Sequence, residues 1–172
     1  YLGIDIGGTA VKLGLVDADG TMISRVLEYP VKFDNYETPI IETVVKSAML
    51  FMEANNKDFT EIAGIGVSAT GGINTKLGIV EGSAGHIKNW EGTNIRSRFE
   101  SEFGVKTAVL NDANAAALGE MWKGAARGKE NVVVMTIGTG VGGGIIVDSK
   151  ILLGRKGFAG EIGHIPVNVD GE

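Results

Sequence analysis

The sequence predicts a mixed α/β protein made of two similar halves, and three observations carry that reading. Short apolar runs of strand length alternate with segments of helical period. Glycine is abundant and clusters between those runs. The order apolar strand, glycine turn, apolar strand, acidic turn, third strand occurs twice. Ile4-Asp5-Ile6-Gly7-Gly8-Thr9 lies over Met135-Thr136-Ile137-Gly138-Thr139-Gly140 at a shift of about 131 residues, and Leu15-Val16-Asp17 lies over Ile146-Val147-Asp148. Two glycine turns facing each other would make a cleft lined with backbone N–H groups, which suits a triphosphate.

The elements follow in chain order. Leu2 to Ile6 is an apolar strand ending in the turn Gly7-Gly8-Thr9, and Val11 to Val16 alternates loosely as the next. Asp17-Ala18-Asp19-Gly20 is a hairpin turn from which Met22 to Tyr29 continues as a third strand. Between Thr38 and Ala54, apolar residues at Ile40, Ile41, Val44, Val45, Ala48, Met49 and Met52 keep the helical period. Ile62 to Val67 is a compact strand running into Ser68-Ala69-Thr70-Gly71-Gly72, and a hairpin-like stretch ends at Ile79-Val80. Asn94 to Phe103 reads as a short helix and Val105 to Leu110 as a strand. Asn111-Asp112 then opens a helix reaching about Ala126. Val132 to Ile137, Gly143 to Val147 and Ile151-Leu152-Leu153 are three further strands. The expected division is a first lobe over residues 1–112, then a connecting helix and the beginning of a second lobe over 113–172.

Composition narrows the function classes. Of 172 residues, 44% are hydrophobic and 22% charged, enough apolar material for a core and too little charge for disorder. No apolar stretch approaches the roughly 20 residues of a membrane-spanning helix. A net charge of -5 and a pI near 5.1 argue against a nucleic-acid surface. They leave room for a small phosphate site, because backbone N–H groups supply one locally. Cys 0 excludes a disulfide framework and a cysteine-based zinc site within these residues. No export leader opens the chain, so a cytoplasmic location is expected. Gly 27 is about 16% of the chain against a usual 7% or so, while Pro 3 excludes a Pro/Gly linker.

Gly138-Thr139-Gly140-Val141-Gly142-Gly143 satisfies the G-x-G-x-x-G pattern, which needs a strand before it and a helix after it. Val132 to Ile137 supplies the strand, but Gly144-Ile145-Ile146-Val147 favours a hairpin over a helix, so the dinucleotide reading fails on context. The G-x-x-x-x-G-K-[ST] phosphate loop and the protein-kinase signatures are also missing.

Four motifs in order carry a resemblance. Asp5-Ile6-Gly7-Gly8-Thr9, Leu110-Asn111-Asp112-Ala113-Asn114, Gly138 through Gly144, and Gly160-Glu161-Ile162-Gly163-His164 resemble the ROK family of bacterial sugar kinases and sugar-responsive repressors. The resemblance covers essentially the whole chain. It implies an actin-like (ribonuclease H-like) ATPase fold with two similar lobes and a cleft, the second lobe incomplete here. It also implies ATP and Mg²⁺ as cofactors, small-molecule partners, no nucleic acid through this chain, no membrane, and a homodimer when complete.

Each site residue has a functional and a plainer reading. The resemblance implies that Asp5 holds Mg²⁺ through water and that Gly7, Gly8 and Thr9 donate to the nucleotide phosphates; otherwise they form a plain hairpin turn with a capping Asp. Lys12 either reaches a phosphate or is an exposed strand lysine. Gly138, Thr139 and Gly140 are the second nucleotide-binding turn. Asn111 and Asp112 stand at a strand-to-helix junction, where both types make good N-caps. The functional reading makes Asp112 the general base for the attacking sugar hydroxyl, its charge favoured by the helix N-terminus, with Asn111 bonding a neighbouring hydroxyl. Glu161 and His164 would share one face of a helical turn and grip adjacent sugar hydroxyls, or be a surface Glu and a satisfied His. Gly72 would let the backbone approach the sugar. Many relatives carry Pro-Gly where Gly71-Gly72 stands, which leaves the sugar open between glucose and N-acetylmannosamine.

The leading expectation is therefore an ATP-dependent kinase for a free hexose or N-acetylhexosamine. The alternative is a sugar-sensing repressor of the same family, whose winged helix-turn-helix finds no room before Leu2. An acetate- or butyrate-type kinase lacks the Glu161/His164 pair. The resemblance also implies that a C-x-C-G-x-x-G-C motif follows about ten residues after His164 in relatives, whose His counterpart joins three Cys around a structural Zn²⁺. Zinc here would depend on sequence after Glu172, and this chain alone is expected neither to bind it tightly nor to turn over normally.

Overall fold

A computed structural model of the chain describes residues 1–82, 87–138, 140–155 and 157–166. The chain divides into two units, Tyr1–Asp112 and Ala113–Glu172.

In the first unit, alternation along the strands sorts side chains to two faces of one sheet. β1 (Leu2–Ile6) pairs antiparallel with β2 (Ala10–Leu15), which pairs antiparallel with β3 (Leu27–Pro30). On its other edge β1 takes β4 (Ile65–Ala69) in parallel, and β4 takes β7 (Thr107–Asn111) in parallel, giving the order β3-β2-β1-β4-β7. Leu2, Ile4, Ile6, Val11, Leu13 and Val67 face a core shared with α1 (Ile40–Ala54), which buries Ile40, Val44, Ala48, Phe51 and Met52. Each of these side chains except the small Ala48 contributes about 1.5–3 kcal/mol on burial. Met49, which keeps the helical period in sequence, is exposed beside Leu50, and Phe51 takes the inward position. The opposite face carries a polar row in register across the strands: Glu28, Lys12, Asp5 and Ser68. The neighbouring row is small, Gly14, Gly3 and Gly66.

The remaining pieces of this unit attach at the sheet's ends. β5 (Gly72–Asn74) and β6 (Ile79–Gly82) form a two-stranded hairpin. α2 (Ile95–Phe103) begins at Asn94, whose side chain accepts from Ser97 N, and ends at Gly104 with φ 66. Arg98 of α2 donates from Nε and Nη2 to the two carboxylate oxygens of Glu42 on α1, each at 2.9 Å, and from Nη1 to Glu102 at 2.6 Å.

Two boundaries depart from expectation for local reasons. The third strand starts at Leu27 and not at Met22, because Leu15 N–H donates to Ser24 Oγ at 2.8 Å, so a hydroxyl replaces a ladder carbonyl. Only the Val16–Met22 bridge and an Ile23 N bond to Leu15 O survive there. β4 starts three residues after Ile62 because Asp58 and Glu61 form a capping box around a 3₁₀ turn at Phe59–Glu61.

The second unit opens with α3 (Asp112–Lys123, its first residue closing the first unit) and an antiparallel sheet ordered β10-β9-β8: β8 (Val132–Ile137), β9 (Val141–Val147) and β10 (Lys150–Ile151). α3 stops short of Ala126 because Glu120 accepts Ala125 N through its carboxylate and Ala126 N, six residues on, through its carbonyl. Gly144 lets β9 lie against α3: a Cβ there would sit 2.5 Å from Ala117 Cβ and 2.6 Å from Ala113 O. Val133, Met135 and Ile137 of β8 point outward and are more than half exposed, and no described strand pairs with its far edge.

The two glycine hairpins differ by one residue. Ile6 pairs with Val11 across four residues, whereas Ile137 pairs with Val141 across three. Leu15 opposes Leu2, and the residue in the matching place opposite Val133 is Ile145, so the overlay of Leu15 on Ile146 is out by one. Sequence shift and ladder shift disagree because the second connection is one residue shorter, and such a slip exchanges sheet faces.

Candidate functional site

The turn between β1 and β2 closes on itself. Gly7 N–H donates to Ala10 O at 3.0 Å, so the Gly7 N–H expected to meet phosphate is already engaged. Behind the turn, Tyr36 Oη donates to Gly8 O at 2.7 Å, and Val31 N donates to Thr9 O at 2.9 Å. Among the described residues the N–H groups of Gly8 and Thr9 have no partner, and they are the donors this turn presents. Asp5 stands on the exposed face just before it, its Oδ1 accepting from Ser68 Oγ at 2.7 Å. Lys12 is Asp5's direct partner across the β1–β2 ladder and is likewise exposed.

The strand-to-helix junction is built from β7 and α3. Asn111 ends β7 nearly buried and donates from Nδ2 to Gly71 O at 3.0 Å. Asp112 is the first residue of α3, where the helix dipole favours an anionic side chain. The loop Thr70–Gly71 is pinned from three directions: Thr70 N donates to Ile6 O, Trp90 Nε1 donates to Thr70 O at 2.9 Å, and Asn111 holds Gly71 O. Gly71 takes φ 98, a left-handed conformation natural to glycine. Gly72, expected to face the sugar, is buried at the start of β5 opposite Gly82, so Gly71 is the glycine at this surface. Trp90 and Tyr36 escaped the sequence reading, because side chains that grip a loop carbonyl from a distant segment leave no spacing pattern.

In the second unit, Gly138 N–H donates to Gly140 O at 3.0 Å, and Gly140 has open space where a Cβ would stand. Thr139 lies outside the described residues. Glu161 and His164 flank one short 3₁₀ turn, Ile162–His164, and not an α-helical one. Positions i and i+3 eclipse in that geometry, so the two still share a side, with His164 Nε2 3.9 Å from Glu161 Oε2. The His164 side chain is 84% exposed and therefore accessible.

Metal fit differs between the two ions the resemblance implies. Mg²⁺ keeps several waters and needs one or two carboxylates beside substrate phosphates, so Asp5 fits that role. Zn²⁺ does not fit: no group of three His, Cys, Asp or Glu side chains is gathered among the described residues, and Cys is absent from the chain.

The mixed α/β architecture with sheet order β3-β2-β1-β4-β7 is that of the actin-like ATPase fold. The ROK family profile matches residues 1–172, and the chain belongs to that family. It is 36% identical over 173 residues to a glucokinase of Halalkalibacterium halodurans, an alignment covering 99% of this chain and 51% of the relative. It superimposes with a TM-score of 0.84 and 33% identity on a ROK family glucokinase from Streptomyces griseus crystallised with glucose and AMPPNP, over 99% of this chain and 52% of that one. A ROK family transcriptional regulator, homologous to the E. coli MLC protein, aligns with a TM-score of 0.87 over 100% of this chain and 42% of its own, but at 24% identity, which shows shared fold alone. The chain spans about half the length of the relatives it matches.

Proposed function

We propose that the protein carrying this chain is an ATP-dependent kinase that transfers the γ-phosphoryl group of ATP to a hydroxyl of a free hexose or N-acetylhexosamine. The observation that carries the reading is the first glycine turn. Its carbonyls are held from behind, its Gly8 and Thr9 N–H groups have no partner among the described residues, and Asp5 stands on the adjoining strand. The 36% identity to a glucokinase supports the same reading.

In this reading the Gly8 and Thr9 N–H groups, with the Thr9 hydroxyl, bind and orient the phosphates, and the Gly138–Gly140 turn is read as a second nucleotide-binding turn. Asp5 would hold Mg²⁺ through water, the ion's charge offsetting that of the β- and γ-phosphate oxygens. Asp112 accepts the proton of the attacking hydroxyl as that hydroxyl's oxygen bonds to the γ-phosphorus and the bond from this phosphorus to the β,γ-bridging oxygen breaks, releasing ADP. Phosphoryl transfer has little covalent chemistry for a protein to perform, so positioning and charge dominate. Asn111 donates from Nδ2 to Gly71 O and so orders the loop. Glu161 and His164 accept and donate to adjacent sugar hydroxyls. The units 1–112 and 113–172 are read as the first lobe and the start of the second, in a cytoplasmic homodimer. Zinc enters no step.

The test is a panel of free hexoses and N-acetylhexosamines with ATP and Mg²⁺, read as ADP release. ADP release with one or more sugars is the expected result. Tight sugar binding without turnover on any of them would move the assignment to the sugar-sensing regulator, whose fold is shared.

A further inference from the structure

Tyr36 combines three unusual properties. Its ring is 2% exposed, its backbone is left-handed at φ 63 directly after Asn35 at φ 54, and its hydroxyl spans 28 residues of sequence to reach Gly8 O. A bulky residue seldom adopts that backbone conformation, and surroundings that hold one there mark a constrained site. Here the surroundings are Asp34, whose Oδ2 accepts from Thr38 N at 2.8 Å and whose carbonyl accepts from Glu37 N at 3.3 Å. A phenylalanine would fill the same space, so the hydroxyl oxygen is the part that acts on the turn.

We propose that Tyr36 is a positioning residue for the phosphate-binding turn: by holding Gly8 O it aims the Thr9 N–H. The inference rests on the kinase reading of that turn. A peptide bond is planar and trans, so the carbonyl of Gly8 and the N–H of Thr9 point in opposite directions across one rigid unit. With the carbonyl drawn back onto Tyr36 Oη at 2.7 Å, the Thr9 N–H is turned outward. Val31 N at Thr9 O fixes the next peptide in the same way. The donor directions are therefore set before nucleotide arrives, which lowers the ordering cost of binding. Glycine at position 8 suits this arrangement: a Cβ there would come 3.2 Å from Ile87 Cδ1 and 3.8 Å from Tyr36 Oη.

The experiment compares wild type with Tyr36→Phe and with 4-aminophenylalanine at position 36, which keeps a donor on the ring. Three quantities are read: backbone amide order parameters of Gly8 and Thr9 without ligand, affinity for AMPPNP with Mg²⁺, and sugar KM. Tyr36→Phe should lower the order parameters from about 0.85 toward 0.6. It should weaken AMPPNP about tenfold, the size of one lost hydrogen bond, and leave sugar KM within about twofold. The amino analogue should restore most of the nucleotide affinity. Unchanged order parameters, unchanged AMPPNP affinity, equal loss of sugar and nucleotide, or failure of the amino analogue to rescue would each overturn the proposal. If wild type itself binds no AMPPNP, the phosphate reading of the turn fails first, and that result is distinct from a Tyr36 variant that behaves like a binding-competent wild type.

Discussion

Two glycines on sheet strands should respond to alanine in opposite directions. Around Gly66 on β4 an added Cβ meets nothing within 4 Å, and the backbone there is ordinary for any residue. Gly66→Ala should stabilise its unit by about 0.4–1 kcal/mol, because alanine narrows the unfolded ensemble without a clash in the folded one. At Gly144 the added Cβ would lie 2.5 Å from Ala117 Cβ and 2.6 Å from Ala113 O, and a helix carbonyl cannot rotate aside as a flexible side chain can. Helix α3 and strand β9 must part, at a cost of about 1–3 kcal/mol. The predicted separation between the variants is thus about 1.4–4 kcal/mol. For a unit of this size each kcal/mol moves Tm by about 4–8 °C. Two tryptophans allow the units to be read separately by fluorescence in urea: Trp90 is buried in the first and Trp122 is half exposed on α3. Gly66→Ala is followed in a Trp122→Phe background and Gly144→Ala in a Trp90→Phe background. A neutral Gly144→Ala, or a Gly66→Ala that destabilises by more than about 0.5 kcal/mol, would refute the packing argument.

Three further outcomes are expected. Asp112→Asn keeps the size and the capping ability at the start of α3 but removes the proton acceptor, so kcat should fall about 10²-fold or more with sugar affinity little changed; a loss that only follows the folded fraction would assign Asp112 to capping. Gly8→Val and Gly140→Val should weaken AMPPNP by about tenfold while sparing sugar binding, and Gly140→Val should fold normally because its Cβ meets open space. Hydrogen bonds from Arg98 hold the Glu42 carboxyl below its usual pKa, so their contribution is present above the unfolded value near 4.3 and is lost as pH falls through the folded one. Because both groups are partly exposed, Arg98→Met should cost only about 0.5–1 kcal/mol at pH 7, and urea midpoints of variant and wild type should converge in acid.

Much of the fold was legible because it rests on local pattern. β1, β2, α1, α2 and β8 fall where apolar runs, alternation or the helical period put them. What escaped depends on single side chains replacing backbone partners. Ser24 Oγ at Leu15 N–H shortened β3, the Asp58–Glu61 capping box delayed β4, and the Glu120 carboxylate ended α3 early. The site divides along the same line. Motifs name Asp5, the glycine turns, Asn111 and Asp112 for the proposed site, while Tyr36 and Trp90 are invisible to motif logic because they bond carbonyls of residues far away in sequence. The engagement of the Gly7 N–H with Ala10 O was likewise unreadable, since it follows from a four-residue hairpin and the matching hairpin at Gly138 has three.

The outer edge of β8 has a consequence for handling the chain at the bench. Val132–Ile137 offers an unpaired row of backbone donors and acceptors among the described residues, and Ile137, at 83% exposure, adds an apolar surface beside it. The strand has strong β-propensity, no charge and no proline, the combination that templates edge-to-edge aggregation. Concentrated samples of this chain should therefore associate through β8 into sheet-rich particles. A lysine at Val133 or Met135 would keep them dispersed.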